Sequence, residues 1–385
     1  MESPSLRVSC LCGNISQLIA VKPPLDNVDP TSRDLSLCHC NSCRHSSGLL
    51  CVSYRPIAAP APLPRGLSEY NAAADGWTRY FCSNCGCHVL RRKGEDQWEL
   101  ATGVVIESIP DHDENPRFVN HVHVTDTKDG GSAVWIPECN GQAMDMPGSE
   151  AEPTTSSSVS SNKQKKDEDE EGEEGEEEHL PASCDCGRVS FHITRPNLAS
   201  YNPRSNVADL ILPYSTTDPA ITQNPADDKW WIRAAGTKYL GGTCACRSCR
   251  LISGFEIQTW AFVPRTNIVF NMKYGRDDVP LDFGALPPNV LTSYRSSPGV
   301  LREFCGTCGA TVFWHDKWRP DLIDVSVGLL RAREGARAES WIDWWTERVS
   351  FTEEAENGRT GVEAKTARAL ISSLEKGLLR WSKRE

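Results

Sequence analysis

The stretch Cys38-His-Cys40-Asn-Ser-Cys43-Arg44 returns later in the chain as Cys244-Ala-Cys246-Arg-Ser-Cys249-Arg250, and a glycine follows each copy four residues further on. Both copies lie between a CxCG motif and an RxFCxxCG motif, at residues 10–13 and 79–86 and at residues 184–187 and 302–309. Seven cysteines therefore occur twice in the same order, which indicates an internal repeat of one structural unit. We expect two modules of the same fold.

The repeat and a low-complexity strip divide the chain into four segments. We expect a first module over residues 6–137, a disordered acidic linker over 147–181, a second module over 182–350 and an amphipathic helix over 360–384. Residues 150–178 include 12 acidic and 3 basic side chains, so this strip repels itself and has little apolar surface to bury. The cysteines of the first two motifs are separated by 57 residues in the second module and by 25 in the first, which indicates an insertion of loops with one short helix.

Composition and charge exclude several classes of protein. The net charge of the 385 residues is −11, but outside residues 150–178 there are 40 acidic and 38 basic side chains, so bulk charge does not favour nucleic acid or anionic lipid. No apolar run approaches the roughly 18 residues of a membrane span, and no secretory signal is visible. We expect a cytoplasmic protein, with the nucleus as the alternative because of the basic residues 163–166.

The local pattern predicts a mainly β fold. Apolar and polar residues alternate after the second CxCG motif, at Val189, Phe191 and Ile193, as expected for a strand. The one convincing helix lies over residues 362–381, where leucines and a tryptophan recur at helical spacing. We expect this helix to cover the second module, and a helix that binds a protein partner or a membrane surface is the alternative.

The cysteine spacing is typical of metal sites. The 17 cysteines are too few for a disulfide scaffold, and CxC and CxxC pairs in a reducing compartment indicate zinc. Structural zinc takes four ligands in a tetrahedron, often from two short turns that each supply a pair. The CxCG and CxxCG pairs predict one such site in each module: Cys10, Cys12, Cys82 and Cys85 in the first, and Cys184, Cys186, Cys305 and Cys308 in the second.

Three cysteines per module remain, in the CxCxxC motif. They are Cys38, Cys40 and Cys43 in the first module and Cys244, Cys246 and Cys249 in the second. Three protein ligands and an open fourth position are typical of a catalytic zinc. Because three thiolates make the site anionic, it suits an incoming thiol, which a metal deprotonates, better than the activation of water. We expect up to two zinc ions per module and four per chain.

Alternatives stay open for the three-cysteine sets. A fourth protein ligand could close each into a structural site, or the thiols could be metal-free. The histidines of the first module are not shared by the second: His39, His45 and His88 correspond to Ala245, Leu251 and Thr311. The arginines after the third cysteine, Arg44 and Arg250, could bind a substrate carboxylate or offset the anionic site, and the same two roles are open for Arg79 and Arg302 before the CxxC pair.

The motifs together resemble those of the glutathione-dependent formaldehyde-activating enzyme family, which includes centromere protein V. The family pattern is CxCG, CxCxxCR, YxSS, RxFC and CxxCG; the second module has all five, with YxSS at residues 294–297, whereas the first has Glu69-Tyr70-Asn71 at the YxSS element. The resemblance covers about residues 6–137 and 181–350. It implies a compact β fold related to that of methionine sulfoxide reductase B, with a structural zinc on the four-cysteine set and a catalytic zinc on the three-cysteine set.

The resemblance implies a carbon–sulfur lyase that joins formaldehyde and glutathione reversibly into S-hydroxymethylglutathione. A small thiol such as glutathione and an aldehyde are then the expected partners. The alternative is a zinc-stabilised scaffold without enzymatic activity, which recruits proteins through its linker or its C-terminal helix. A thiol-redox protein is a third alternative, since an exposed CxxC pair can exchange disulfides.

Overall fold

The computed structural model describes residues 5–21, 34–60, 62–72, 74–109, 116–146, 178–270 and 278–384. The acidic linker expected over residues 147–181 lies outside this part of the chain except for its last four residues. No helix among the described residues is long and apolar enough to cross a membrane. The fold is mainly β and contains two repeated modules and a C-terminal helix, which confirms the predicted fold class.

The first module contains several small sheets. Its elements are β1 (Ser5–Ser9), β2 (Ser16–Ala20), β3 (Asp34–Cys38), α1 (Asn41–Ser47), β4 (Tyr54–Ile57), β5 (Leu67–Asn71), β6 (Thr78–Cys82), β7 (His88–Lys93), β8 (Gln97–Ala101), β9 (Val105–Ile109), β10 (Arg117–Val122), β11 (Glu138–Cys139) and β12 (Gln142–Ala143). The largest sheet is antiparallel, in the order β4-β8-β7-β6-β5. Strands β2, β1 and β9 form a second sheet, and β3 pairs in parallel with β10.

The second module repeats this plan with additions. Its elements, with the C-terminal helix, are β13 (His179–Ser183), β14 (Ser190–Thr194), α2 (Pro219–Thr222), β15 (Ile232–Arg233), β16 (Lys238–Cys244), α3 (Arg247–Ser253), β17 (Gln258–Pro264), β18 (Ile268–Phe270), β19 (Val279–Pro280), β20 (Thr292–Ser297), β21 (Val300–Phe304), β22 (Thr311–Asp316), β23 (Leu322–Ser326), β24 (Ile342–Trp344) and α4 (Gly361–Trp381). The order β17-β23-β22-β21-β20 repeats the first module's large sheet. The insertion between β14 and β16 is mostly irregular chain around α2, as its composition predicts.

Strand register aligns the two modules residue by residue. Arg79 on β6 lies opposite Tyr70 on β5 and Arg91 on β7, and Arg302 on β21 lies opposite Tyr294 and Trp314. Tyr70 therefore occupies the position of the YxSS tyrosine, and the departure of the first module from that motif is confined to the serines. The same register makes Arg91 the counterpart of Trp314.

Two short helices, α1 and α3, are missed by the sequence pattern. In each, the second cysteine of CxCxxC is the N-cap, and its sulfur accepts the backbone N–H of the third cysteine. Each helix ends at a left-handed glycine, Gly48 or Gly254. Seven residues are too few to display a helical period, so only the capping chemistry marks these helices in the sequence.

The modules meet across a pseudo-twofold contact, here called the glycine seam, which is formed by Gly48, Gly103, Gly254 and Gly328. The backbone N–H of Gly103 donates to the carbonyl of Gly254 at 2.9 Å, and the equivalent bond from Gly328 to Gly48 measures 3.1 Å. One buried apolar cluster contains side chains of both modules and of α4. The modules therefore share one hydrophobic core and are not two separately packed domains.

The C-terminal helix α4 packs chiefly on the first module, so the expectation that it covers the second is wrong. The Glu363 carboxylate accepts hydrogen bonds from Arg55 and Ser108, both at 2.7 Å. Near the other end of the helix, Gly377 lies directly against the carbonyl of Trp135. The physical reason is long-range: the apolar stripe of α4 matches a surface beside β9 and Trp135 that is formed more than 200 residues earlier in the chain.

Candidate metal centres

The predicted cysteine sets are brought together in space. In each of four groups all the sulfur atoms lie within 4.8 Å of one another. Two groups contain four cysteines, namely Cys10, Cys12, Cys82 and Cys85, and Cys184, Cys186, Cys305 and Cys308. Two contain three, namely Cys38, Cys40 and Cys43, and Cys244, Cys246 and Cys249. The other three cysteines, Cys51, Cys87 and Cys139, belong to none of these groups and are buried.

The four-cysteine groups have dimensions that suit zinc. The Cys10 and Cys12 sulfurs are 3.5 Å apart, and the Cys12 and Cys82 sulfurs are 3.6 Å apart. The second module repeats these distances at 3.4 and 3.5 Å. Sulfurs around a tetrahedral zinc with bonds of about 2.3 Å are about 3.8 Å apart. Each group joins the end of the module's first strand to the end of β6 or β21, so a bound ion would cross-link distant parts of the module.

The three-cysteine groups lie at the start of α1 and α3. The Cys38 and Cys43 sulfurs are 3.8 Å apart. The backbone N–H of the third cysteine donates to the sulfur of the second, at 3.4 Å in the first module and 3.3 Å in the second. Among the described residues, no histidine or carboxylate joins either group. The arrangement in both modules therefore fits three thiolates with room for a further ligand.

The histidines weighed as fourth ligands have other surroundings. His39 Nε2 is hydrogen-bonded to His121 Nδ1 at 2.8 Å, and burial lowers the pKa of His39 to about 3. His88 lies against the Phe81 ring at the contact between modules. The His45 carbonyl accepts the backbone N–H of Asp185, which follows Cys184 in the other module. The closed four-ligand alternative thus has no support among these side chains.

A buried arginine stands beside the third cysteine of each three-cysteine group. Arg302 directs two guanidinium nitrogens at the Cys249 sulfur, at 3.6 and 3.7 Å, and Arg79 reaches the Cys43 sulfur at 3.5 Å. Hydrogen bonds from the neighbouring cysteines, with the arginine charge in support, hold the pKa of the Cys43 and Cys249 thiols well below its usual range. Of the two roles open for these arginines, the contacts favour offsetting the anionic site.

The arginine that ends the CxCxxCR motif has a different role in the second module. The Arg250 guanidinium donates to the carbonyls of Gly103 at 2.5 Å and of Asn357 at 2.9 Å, and so it binds the first module and the segment before α4. In the first module, Arg44 donates to the Asn41 side chain at 2.6 Å. The contact of Arg250 is structural, which neither of the two roles expected from the sequence describes.

A second guanidinium reaches the three-cysteine group of the first module. Arg91 lies between the rings of Tyr54 and Trp77, 4.1 Å from each centroid, and pairs with Glu99 at 2.5 Å. Its Nη1 is 3.7 Å from the Cys43 sulfur. Sequence reasoning missed this residue because it lies outside every cysteine motif, and only the strand register connects it to the site. The space beside Cys43 is therefore partly filled by the chain itself.

The corresponding space in the second module is an open cleft of about 1090 Å³. Its floor includes Cys244, Cys246 and Cys249, and Arg302 lies beside them. Trp230 and Trp260 line it, whereas Trp231 is packed into an adjacent apolar cluster. The wall also includes Ser296, Ser297, Phe262 and Trp314. The cleft can therefore admit a molecule to the three sulfurs.

Comparison with known proteins identifies one family. A sequence model of the glutathione-dependent formaldehyde-activating enzyme family matches two regions, residues 5–124 and residues 232–348. The two matches cover more than half of the chain and fall on the two modules. No curated protein matches the chain.

Proposed function

The chain belongs to the glutathione-dependent formaldehyde-activating enzyme family, and from this membership we propose that it is a zinc-dependent carbon–sulfur lyase. Its substrates are a thiol, glutathione in the first instance, and a small aldehyde. In the forward direction the bond between sulfur and the carbonyl carbon forms, and the thiol proton passes to the carbonyl oxygen. The reverse direction breaks that bond and restores the thiol and the aldehyde.

We propose four zinc sites, on the four cysteine groups described above. The four-cysteine groups hold the modules in shape, and the three-cysteine groups are the candidate catalytic sets. A zinc ion with three thiolate ligands would supply a position at which a substrate thiol binds and loses its proton. The separations of the sulfurs and the lack of a shared fourth ligand support this assignment.

We propose that the second module carries the reaction. The supporting observation is the cleft, which opens onto Cys244, Cys246 and Cys249. The buried Arg302 offsets the negative charge of the thiolates, and Trp260, Phe262 and Trp314 form an aromatic part of the cleft wall. In the first module, the Arg91 side chain partly fills the corresponding space and adds a second positive charge beside Cys43. We infer that the first three-cysteine group serves mainly to hold a metal.

An exchange measurement tests the proposal. The zinc-loaded protein is mixed with glutathione and ¹³C-formaldehyde, and the exchange between free aldehyde and adduct is followed by NMR. We expect a rate above that of buffer and a loss of the gain in Cys246→Ser. Cys139→Ala, which removes a buried thiol outside the four groups, is the matched control and retains the rate. A wild-type rate equal to those of buffer and of Cys246→Ser would refute glutathione and formaldehyde as the substrates.

A further inference from the structure

The insertion of the second module forms one wall of its cleft. Residues 204–210 and most of residues 223–230 line this wall, and the first module has a shorter connection between the corresponding cysteine motifs. The wall is fastened by Leu210, Trp230 and Trp231, which pack with Leu240 and Phe262 of the sheet. An apolar cluster of this kind makes a preformed surface and not a loop that must be ordered by a ligand.

Hydrogen bonds fix the same wall. The indole N–H of Trp230 donates to the carbonyl of Asn206 at 2.9 Å, and that of Trp231 donates to the carbonyl of Ser200 at 3.0 Å. The Asn224 amide donates to the carbonyls of Ser205 and Asp228, both at 2.9 Å. These hydrogen bonds give the segment that lines the cleft one defined path.

A second part of the cleft wall is aromatic and comes from the sheet. Trp260, Phe262 and Trp314 line the cleft, and the Arg319 guanidinium lies 4.6 Å from the Trp314 ring centroid. At the two equivalent sheet positions the first module has Tyr54 for Trp260 and Arg91 for Trp314. The first position is aromatic in both modules, whereas the second holds a guanidinium in the first module and an indole ring in the second. Both modules keep all three cysteines, so the difference between them lies in the side chains that surround the sulfurs and thus in the ligand that each site can admit.

The size of the cleft sets the class of ligand. Sites for drug-sized molecules measure roughly 300–1,000 Å³, and this one reaches about 1090 Å³. The hydroxymethyl group of the simplest adduct adds only one carbon and one oxygen to the thiol, and it would leave much of the aromatic wall in contact with water. A larger apolar group next to the sulfur would cover that wall.

We propose that the second module selects thiol adducts in which the carbon bound to sulfur carries a large apolar group, preferably an aromatic ring. The inference rests on the proposed function and names its substrate class: a glutathione-like thiol joined to an aldehyde larger than formaldehyde. The thiol sulfur bonds to the carbonyl carbon, and the thiol proton goes to the carbonyl oxygen. No oxidant or reductant is required.

Binding of two stable thioethers tests the selection without turnover. S-benzylglutathione and S-methylglutathione are titrated into the zinc-loaded full-length protein, and the dissociation constants are measured by calorimetry. Burial of one ring against an aromatic wall is expected to favour the benzyl compound at least tenfold. Equal affinity for the two compounds would overturn the inference.

Variants locate the preference in the cleft. Val207→Trp and Ser297→Trp each place a large side chain in the space lined by the insertion and by β20, and both are expected to remove the tenfold preference. Ser297 is exposed, so its variant is compatible with an intact fold. Leu198→Trp is the matched control, since Leu198 is 91% exposed and does not line the cleft, and it keeps the preference. A preference that survives both cleft variants would overturn the inference.

The result separates this inference from the proposed lyase activity. A benzyl preference without exchange of any aldehyde adduct would support the ligand class and refute the lyase. Exchange of the formaldehyde adduct together with equal binding of the two thioethers would support the lyase and overturn the ligand class.

Discussion

Replacement of Gly254 by alanine is expected to open the glycine seam. Gly254 ends α3 with a φ of +81°, where a side chain is strained by about 1–2 kcal/mol. A Cβ atom there would lie 2.2 Å from the carbonyl oxygen of His88, which is backbone of the other module. Both clashing groups belong to the backbone, so no flexible side chain can move aside. The clash can therefore be relieved only if the two modules separate locally.

The magnitude follows from what the separation breaks. The buried bond from the Gly103 N–H to the Gly254 carbonyl is lost, and both groups remain away from water. An unsatisfied buried group costs about 1–3 kcal/mol. Together with some loss of packing, the expected decrease in the free energy of unfolding is about 2–4 kcal/mol beyond the backbone strain.

The strain is measured separately with Gly141→Ala. Gly141 has a φ of +77°, and a Cβ atom there meets nothing within 4 Å. Urea unfolding of the zinc-loaded proteins, followed by tryptophan fluorescence, gives both free energies. The difference between the two variants isolates the seam. If Gly254→Ala is no less stable than Gly141→Ala, the modules are not packed at this point and the description of a shared core is wrong.

Glu256→Gln is expected to lower the free energy of unfolding by about 3 kcal/mol, because the buried Arg359, 2.8 Å away, loses its charged partner. Denaturation of this variant and of the double variant Glu256→Gln/Arg359→Met tests the prediction, and the reasoning fails if the double variant recovers none of the lost stability. Gly377→Ala is expected to destabilise the protein although this change normally stabilises a helix by about 1 kcal/mol, since the new Cβ would lie 1.6 Å from the Trp135 carbonyl oxygen; a raised melting temperature would contradict it. Burial raises the pKa of Asp324 to about 6, so the native state binds this proton more tightly than the unfolded chain does, and stability falls as pH rises from about 4 to 6. Relative to Asp324→Asn, the free energy of unfolding of the wild type is expected to increase by about 1 kcal/mol when the pH is lowered from 7 to 5, and an unchanged difference between the two proteins would refute the shift.

The cysteine groups could be predicted from the sequence because their chemistry is local. Each CxCG or CxxCG pair brings two sulfurs to one turn. Only the pairing of one turn with another is long-range, and the occurrence of both motifs in each copy of the repeat indicates which two turns pair. The alternation at Val189, Phe191 and Ile193 likewise predicts β14. These features depend on residues at most a few positions apart.

The position of α4 and the difference between the two three-cysteine sites depend on register. Arg91 and Trp314 correspond only once β6 pairs with β7 and β21 with β22. The sequence places α4 next to the second module, whereas in the structure the helix contacts the surface beside Trp135 of the first. A one-residue slip of a strand would exchange the face on which Arg91 lies, and no local pattern fixes that choice.

Two further hydrogen bonds between the modules connect the two kinds of cysteine group. The backbone N–H of Leu11, between Cys10 and Cys12, donates to the carbonyl of Leu251 on α3 at 3.2 Å. The pseudo-symmetric bond runs from Asp185, between Cys184 and Cys186, to His45 on α1 at 3.0 Å. Each four-cysteine turn thus supports the helix that carries the three-cysteine group of the other module. A module that had lost substrate access would still be required, because its four-cysteine turn positions the helix at the floor of its neighbour's cleft. This mutual support gives a physical reason why both modules keep all seven cysteines, although Arg91 partly fills the space beside Cys43 in the first module.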